Sequence, residues 1–201
     1  MKKSNANKAT HSGTCQICGR LQKLPSGRMA KHGYTTRWGF FEGTCPGSDH
    51  QPFELACDRI EAAMFDAENH QVAIMAEVHE LKVYTGNKAW VHNYIKTSQW
   101  TGAWKWERAE ITKKEISYSD GSGSYFSFFK TVITGEGMPA RASEEIENYS
   151  IRDLPAMVKE LNGRYIRERE KMIAQLRGYV EWQTKRLEGW KANPEALVPV
   201  K

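Results

Sequence analysis

A chain of 201 residues is long enough for one good hydrophobic core, or for a core plus a small satellite module. Its 40% hydrophobic, 26% charged and 11% aromatic residues exclude a disordered chain, and no apolar run approaches the roughly 18 residues that a bilayer span requires. The net charge is +5, unevenly spread: residues 1–50 carry eight Lys/Arg against two acids, and residues 51–81 one arginine against seven acids. A basic segment beside an acidic helix reads either as a cationic face for phosphate backbones or as two segments that pack together and offset each other.

The chain opens with "MKKSNANKATHSG", which has the basic start of a signal peptide without the apolar stretch that would have to follow. Residues 1–12 are therefore expected to be a flexible tail on a cytoplasmic protein. In a reducing cytosol, four cysteines point to metal ligands, catalytic groups or buried apolar residues rather than to a disulfide framework.

Residues 13–58 read as a zinc-binding module. Cys15 and Cys18 bracket two residues and precede Gly19, the arrangement of a zinc knuckle, in which two thiolates reach one tetrahedral ion while a tight turn aims backbone amides at the sulfurs. Cys45, in the turn-forming "GTCPGS", is the third expected ligand. The fourth place is contested. Cys57, expected about one turn into a helix, has the dipole and free amides that favour a thiolate, and would complete a four-cysteine cage. His32, in "AKHGY", is the alternative, and His50 a weaker one. A closed four-ligand site is structural, because no position remains for an activated water. Between the ligands, Arg28, Lys31 and Arg37 alternate with Tyr34, Trp38, Phe40 and Phe41, either as a miniature core or as a basic and aromatic face for nucleic acid.

Through "CQICG", "HGY", "GTCPGS" and "PFELACD", this segment resembles the N-terminal module of a group of phage- and prophage-encoded proteins that begin with C-x-x-C, pass through HGY and G-x-C-x-G, and end in a long charged helix. The likeness covers roughly residues 15–60 and the style of the C-terminal helix. It implies a metal module and a mobile-element origin without a reaction, and it gives His32 more weight as a ligand than thiol chemistry alone does.

Residues 53–201 read as an α+β body overlapping the end of that module. A helix is expected over 53–82, opened by Pro52, with Phe53, Ala56, Ile60, Met64, Ala67, Ile74, Val78 and Leu81 on its apolar face. The β region, 83–140, contains a hairpin in "KKEISYSDGSGSYFSFFKTVITG", two β-prone runs around a glycine- and serine-rich turn. Upstream strands bring Trp90, Tyr94, Trp100, Trp104 and Trp106. There Trp104, Lys105, Trp106 and Arg108 interleave rings with cations, and Lys113 and Lys114 follow. A second long helix is expected over 154–190, capped by Asp153 with Pro155 in its first turn. The expected architecture is thus an N-terminal zinc module, two long antiparallel helices and an inserted aromatic-rich antiparallel sheet or hairpin. Surplus helix length leaves room for a homodimer.

No nucleophile elbow, Walker-type loop or paired-carboxylate pattern stands out, so no catalytic residue is expected. The leading expectation is a non-enzymatic, zinc-containing binding protein acting on nucleic acid or on a host nucleic-acid-processing machine. Arg28, Lys31, Arg37, Lys105 and Arg108 would meet phosphates, with Trp104 and Trp106 as stacking groups. The alternative is a protein-only inhibitor or adaptor with aromatic anchors and long helices. A metal-dependent enzyme would need an open zinc position.

Overall fold

The computed structural model describes residues 8–35, 41–96, 102–119, 122–133, 144–146, 151 and 153–200. Arg37, Trp38, Phe40, Trp100 and the turn residues Asp120 and Gly121 lie outside them. The fold is α+β, with two long helices and antiparallel strands, and divides into two compact units.

The first unit comprises Met1–Gln71 and Gln175–Lys201. Strands β1 (His11–Thr14) and β2 (Leu21–Lys23) pair antiparallel, and the short β9 (Val198–Pro199), close to the chain's other end, adds to the free side of β1. Two further strands, β3 (Gly33–Thr35) and β4 (Phe41–Thr44), form a two-stranded sheet. The core is small: Cys15, Ile17, Leu24, Met29 and Cys45 are buried together, with Cys18, Ala63 and Leu197 packed against them.

This unit corrects the expected small N-terminal module. Its sheet is completed by β9, and residues 175–187 of helix α2 (Leu154–Leu187) bind its backbone. A segment that buries so few apolar side chains needs added covering surface, and the chain's own C-terminal region supplies it.

Helix α1 (Asp58–Val83) begins five residues later than its apolar period predicts. Residues 53–57 are drawn into tertiary contacts: the Phe53 amide donates to the Thr14 carbonyl at 2.7 Å, and the Glu54 carboxylate accepts the Thr14 amide through both oxygens. Gln16 then serves the helix start. Its Oε1 accepts the Arg59 amide at 2.9 Å, and its Nε2 donates to the Asp58 carboxylate. Free amides in a first helical turn need such acceptors.

The second unit is Val72–Ala174. Strands β5 (Lys88–Lys96), β6 (Gly102–Ser117), β7 (Ser124–Val132) and β8 (Glu144–Ile146) form an antiparallel sheet in the order β5-β6-β7-β8. Register sorts the side chains into two faces. Ala89, Val91, Ala109, Ile111, Phe128 and Val132 share one face and pack with Met157, Val158 and Leu161 of α2. Asp153 caps that helix by accepting the Ala156 amide at 2.8 Å.

The expected frame of two paired helices with an inserted sheet or hairpin is therefore corrected too. The first turns of α2 take their core from the sheet, because alternating residues on three neighbouring strands present one continuous apolar face to the apolar stripe of the helix. The aromatic-rich insertion, expected as an antiparallel sheet or hairpin, is a four-stranded antiparallel sheet in which β6 and β7 are neighbours.

Candidate metal centre

Four side chains converge in the first unit. The ligand atoms of Cys15, Cys18, His32 and Cys45 all lie within 4.8 Å of one another, a spacing that can hold a metal ion. Cys15 Sγ and Cys45 Sγ are 3.9 Å apart, and Cys18 Sγ and His32 Nε2 are 3.4 Å apart. Tetrahedral coordination with metal–sulfur bonds of ~2.3 Å and metal–nitrogen bonds of ~2.0 Å requires edges of ~3.8 Å and ~3.5 Å. The first distance also rules out a disulfide between that pair, whose sulfurs would stand at ~2.05 Å.

Each ligand is placed by local backbone. The knuckle is the turn between β1 and β2, closed by the Cys15 amide to the Arg20 carbonyl at 2.9 Å and the Gly19 amide to the Cys15 carbonyl at 3.0 Å. Gly19 holds φ at +69°, a left-handed conformation that glycine adopts without penalty, and the Trp182 ring covers the place a Cβ would take. The peptide N–H groups of Ile17 and Cys18 donate to the Cys15 sulfur, and that of Gly47 to the Cys45 sulfur. Gly47 is a tight fit, since an added Cβ would fall on the Cys15 sulfur.

The two hairpin-like halves are tied together by the Cys45 amide, which donates to the His32 carbonyl at 2.7 Å. His32 is itself oriented from behind: Nδ1 lies 2.8 Å from the Ala30 carbonyl and 3.2 Å from Ser48 Oγ. Donation from Nδ1 to the carbonyl leaves the Nε2 lone pair facing the sulfurs, the tautomer a metal ligand needs.

Cys15 and Cys45 are buried, and burial pushes both thiols up, Cys45 to about 12, with the neighbouring cysteine sulfurs adding like charge. Three thiolates cannot share so small a space without a compensating cation. Ion binding there must expel protons.

Cys57, expected as the fourth ligand, stands outside the cluster, and His32 holds the place instead. The reason is the delayed start of α1: Cys57 precedes the helix rather than sitting one turn into it, and its carbonyl accepts the Ile60 amide. His50 is also outside the cluster, its carbonyl occupied by the Met29 amide. Beside the half-buried Cys18, a cavity of about 480 Å³ is lined by Ile17, Pro46, Arg59, Asp66 and Tyr179 among others.

The residues expected to meet a partner divide between the units. Arg28 and Lys31 are exposed in the first, with Arg28 Nη1 donating to the Asp49 carbonyl; Arg37 lies outside the described residues. In the second, Trp104, Trp106 and Arg108 occupy the face of β6 opposite Ala109 and Ile111, whereas Lys105 is on the other face, across from Asn93.

Pairing of β5 with β6 sets Trp90 and His92 on that same face and builds an aromatic row. The His92 ring stacks on Trp106 at 4.8 Å and tilts against Trp104 at 5.1 Å. Trp106 meets Tyr165 edge-on at 5.1 Å, and Tyr165 stacks on Trp90 at 4.5 Å. Arg108 lies over the rings of Tyr84 and Trp90. One end of the row is core, with Tyr165 1% exposed, and the other is surface, with Trp104 63% exposed. Sequence reasoning missed His92 and the part Tyr165 plays, because only strand register reveals that they share a face.

Comparison with protein-family models, with curated proteins and with solved structures yields no match. Among the described residues, no helix is long and apolar enough to cross a membrane.

Proposed function

We propose that the chain is a non-enzymatic binding protein whose Cys15–Cys18–His32–Cys45 cluster holds a structural zinc ion and whose aromatic face engages single-stranded nucleic acid. Three sulfurs and one imidazole within 4.8 Å of one another are a donor set suited to the borderline-soft zinc ion, and four protein ligands leave no place for an activated water. The ion would anchor the fold of the first unit.

The observation that carries the binding reading is the row of rings ending at exposed Trp104. Indole and imidazole faces accept the π-face of any base, and Trp104 is exposed at the end of the row. Action on nucleic acid also fits the basic balance of the chain. The mobile-element origin rests on the resemblance of the knuckle segment alone. Free cysteine thiols fit a reducing compartment such as the host cytosol.

A second reading, a protein-only adaptor or inhibitor, is favoured by a separate observation. Phe126 is 61% exposed on the opposite face of the sheet, with Lys113 Nζ 4.4 Å from its ring centroid, the kind of aromatic group that anchors protein interfaces.

The deciding experiment is titration of nuclease-treated protein with labelled single-stranded DNA, duplex DNA and RNA at two salt concentrations. Salt-sensitive binding that Trp104→Ala weakens by about 1–3 kcal/mol, roughly 5- to 150-fold, is the expected result. No binding at low salt overturns the nucleic-acid reading and leaves the protein partner.

A further inference from the structure

The C-terminal part of α2 reaches the knuckle at particular atoms. Arg186 Nη1 donates to the Gln16 carbonyl at 2.6 Å, and Nη2 donates to the Cys15 carbonyl at 3.2 Å. Gln183 Nε2 donates to the Ile17 carbonyl at 3.0 Å and lies 3.2 Å from the Gln16 carbonyl. Gln183 is fully buried, and its Oε1 in turn accepts from Arg186 Nη1 at 2.8 Å.

The Gln16 and Ile17 carbonyls belong to peptide units that serve the metal cluster. The unit joining Gln16 to Ile17 presents its C=O to Arg186 and its N–H to the Cys15 sulfur; the unit joining Ile17 to Cys18 presents its C=O to Gln183 and its N–H to the same sulfur. A hydrogen bond at the carbonyl end of an amide polarises it and strengthens donation at the N–H end. Three thiolates and a neutral imidazole around a divalent ion also leave one net negative charge, and a guanidinium that donates two hydrogen bonds to that backbone offsets it.

We propose that Arg186 and Gln183 are positioning residues of the metal site, which polarise and fix the two peptide N–H donors of the Cys15 thiolate and so raise the affinity of the site for its ion. This rests on the zinc reading above. The arrangement is rigid. The guanidinium carbon sits 4.1 Å from the Phe53 ring centroid and 4.5 Å from that of Trp182, while the Tyr179 hydroxyl accepts the third contact of Gln183 Nε2 at 2.9 Å. Arginine suits this place better than lysine, because its planar fork donates to two carbonyls at once.

The test compares Arg186→Gln, Arg186→Lys and Gln183→Leu with the unaltered protein. Zinc affinity is measured by competition with a chromophoric chelator, and the thiolate-to-metal charge-transfer band is recorded after Co²⁺ substitution. Loss of outer hydrogen bonding typically weakens a site by about 10- to 100-fold. Losses of that size are expected for Arg186→Gln and Gln183→Leu, with a smaller one for Arg186→Lys. The Co²⁺ band should move to longer wavelength as the Cys15 sulfur loses donor strength from its amides, which a merely structural defect would not produce. Wild-type affinity and an unshifted band in the variants overturn the inference while leaving the zinc reading intact. Failure of the unaltered protein to bind either ion overturns both. If circular dichroism shows Arg186→Gln unfolded, Arg186→Lys and Gln183→Leu decide by the same two measurements.

Discussion

Replacing Cys45 by serine and, separately, Cys57 by serine separates the geometry of the cluster from the thiol count of the sequence. Structural zinc sites contribute about 10–16 kcal/mol of apparent binding free energy at neutral pH, so one of four ligands carries on the order of 3 kcal/mol, about a hundredfold in Kd. Cys45 Sγ stands 3.9 Å from Cys15 Sγ and is one of the four converging atoms, whereas Cys57 is not among them. Cys45→Ser should therefore weaken zinc by two orders of magnitude or more and remove one thiolate's share of the Co²⁺ charge-transfer intensity. Cys57→Ser should leave affinity within about threefold and the spectrum unchanged. His32→Ala should behave like Cys45→Ser in affinity but keep the full thiolate intensity. Chelator competition and Co²⁺ spectra on the three variants give the answer. Equal losses for Cys57→Ser and Cys45→Ser, or wild-type affinity for His32→Ala, would refute the assignment of the fourth ligand.

Gly47→Ala should impair metal binding without touching a ligand, since the new methyl would collide with the Cys15 sulfur; overpacking of a buried site costs about 1–3 kcal/mol, and zinc-dependent thermal stability would show it. Ile111→Ala should destabilise the second unit by about 2–5 kcal/mol, read by urea denaturation, because Ile111 is fully buried at the centre of the sheet's apolar face. Burial, and then its hydrogen bond to Glu77, push the Tyr165 phenol up from 10.0 to about 12, so the folded state holds that proton more tightly than the unfolded one. The stability this contributes is complete below pH 10 and lost as pH rises from 10 to 12; at ~1.4 kcal/mol per unit it is on the order of 2–3 kcal/mol. Tyr165→Phe should lose stability less steeply than wild type over that window in paired urea titrations, and parallel curves would count against it.

Some of this protein is written locally. The spacing of Cys15 and Cys18, the glycine after them and the turn that carries Cys45 are short-range chemistry, and those three sulfurs do converge. The start of α2 is equally local, because an aspartate at the cap and a proline in the first turn act on the nearest amides. The apolar periods of both helices are visible for the same reason. What periodicity could not show is where α1 begins. Its apolar pattern runs on through residues 53–57, but that stretch is held outside the helix by Thr14 on the Phe53 amide and the Glu54 carboxylate, and by Trp190 and Asn193 on the Phe53 and Glu54 carbonyls.

Tertiary structure also decided everything that depends on distant segments meeting. His32 takes the fourth place in the cluster because the Cys45 amide finds its carbonyl and Ala30 and Ser48 turn its ring. The role of tryptophans in β5 and β6 follows from register: a shift by one residue would turn Trp106 toward Ala109's face and Lys105 toward the ring of Tyr165. The knuckle's outer support comes from Gln183 and Arg186, more than 160 positions along the chain. Side-chain pattern reports which face a residue prefers. Which partner it meets there is set by chain closure, and no local spacing encodes that.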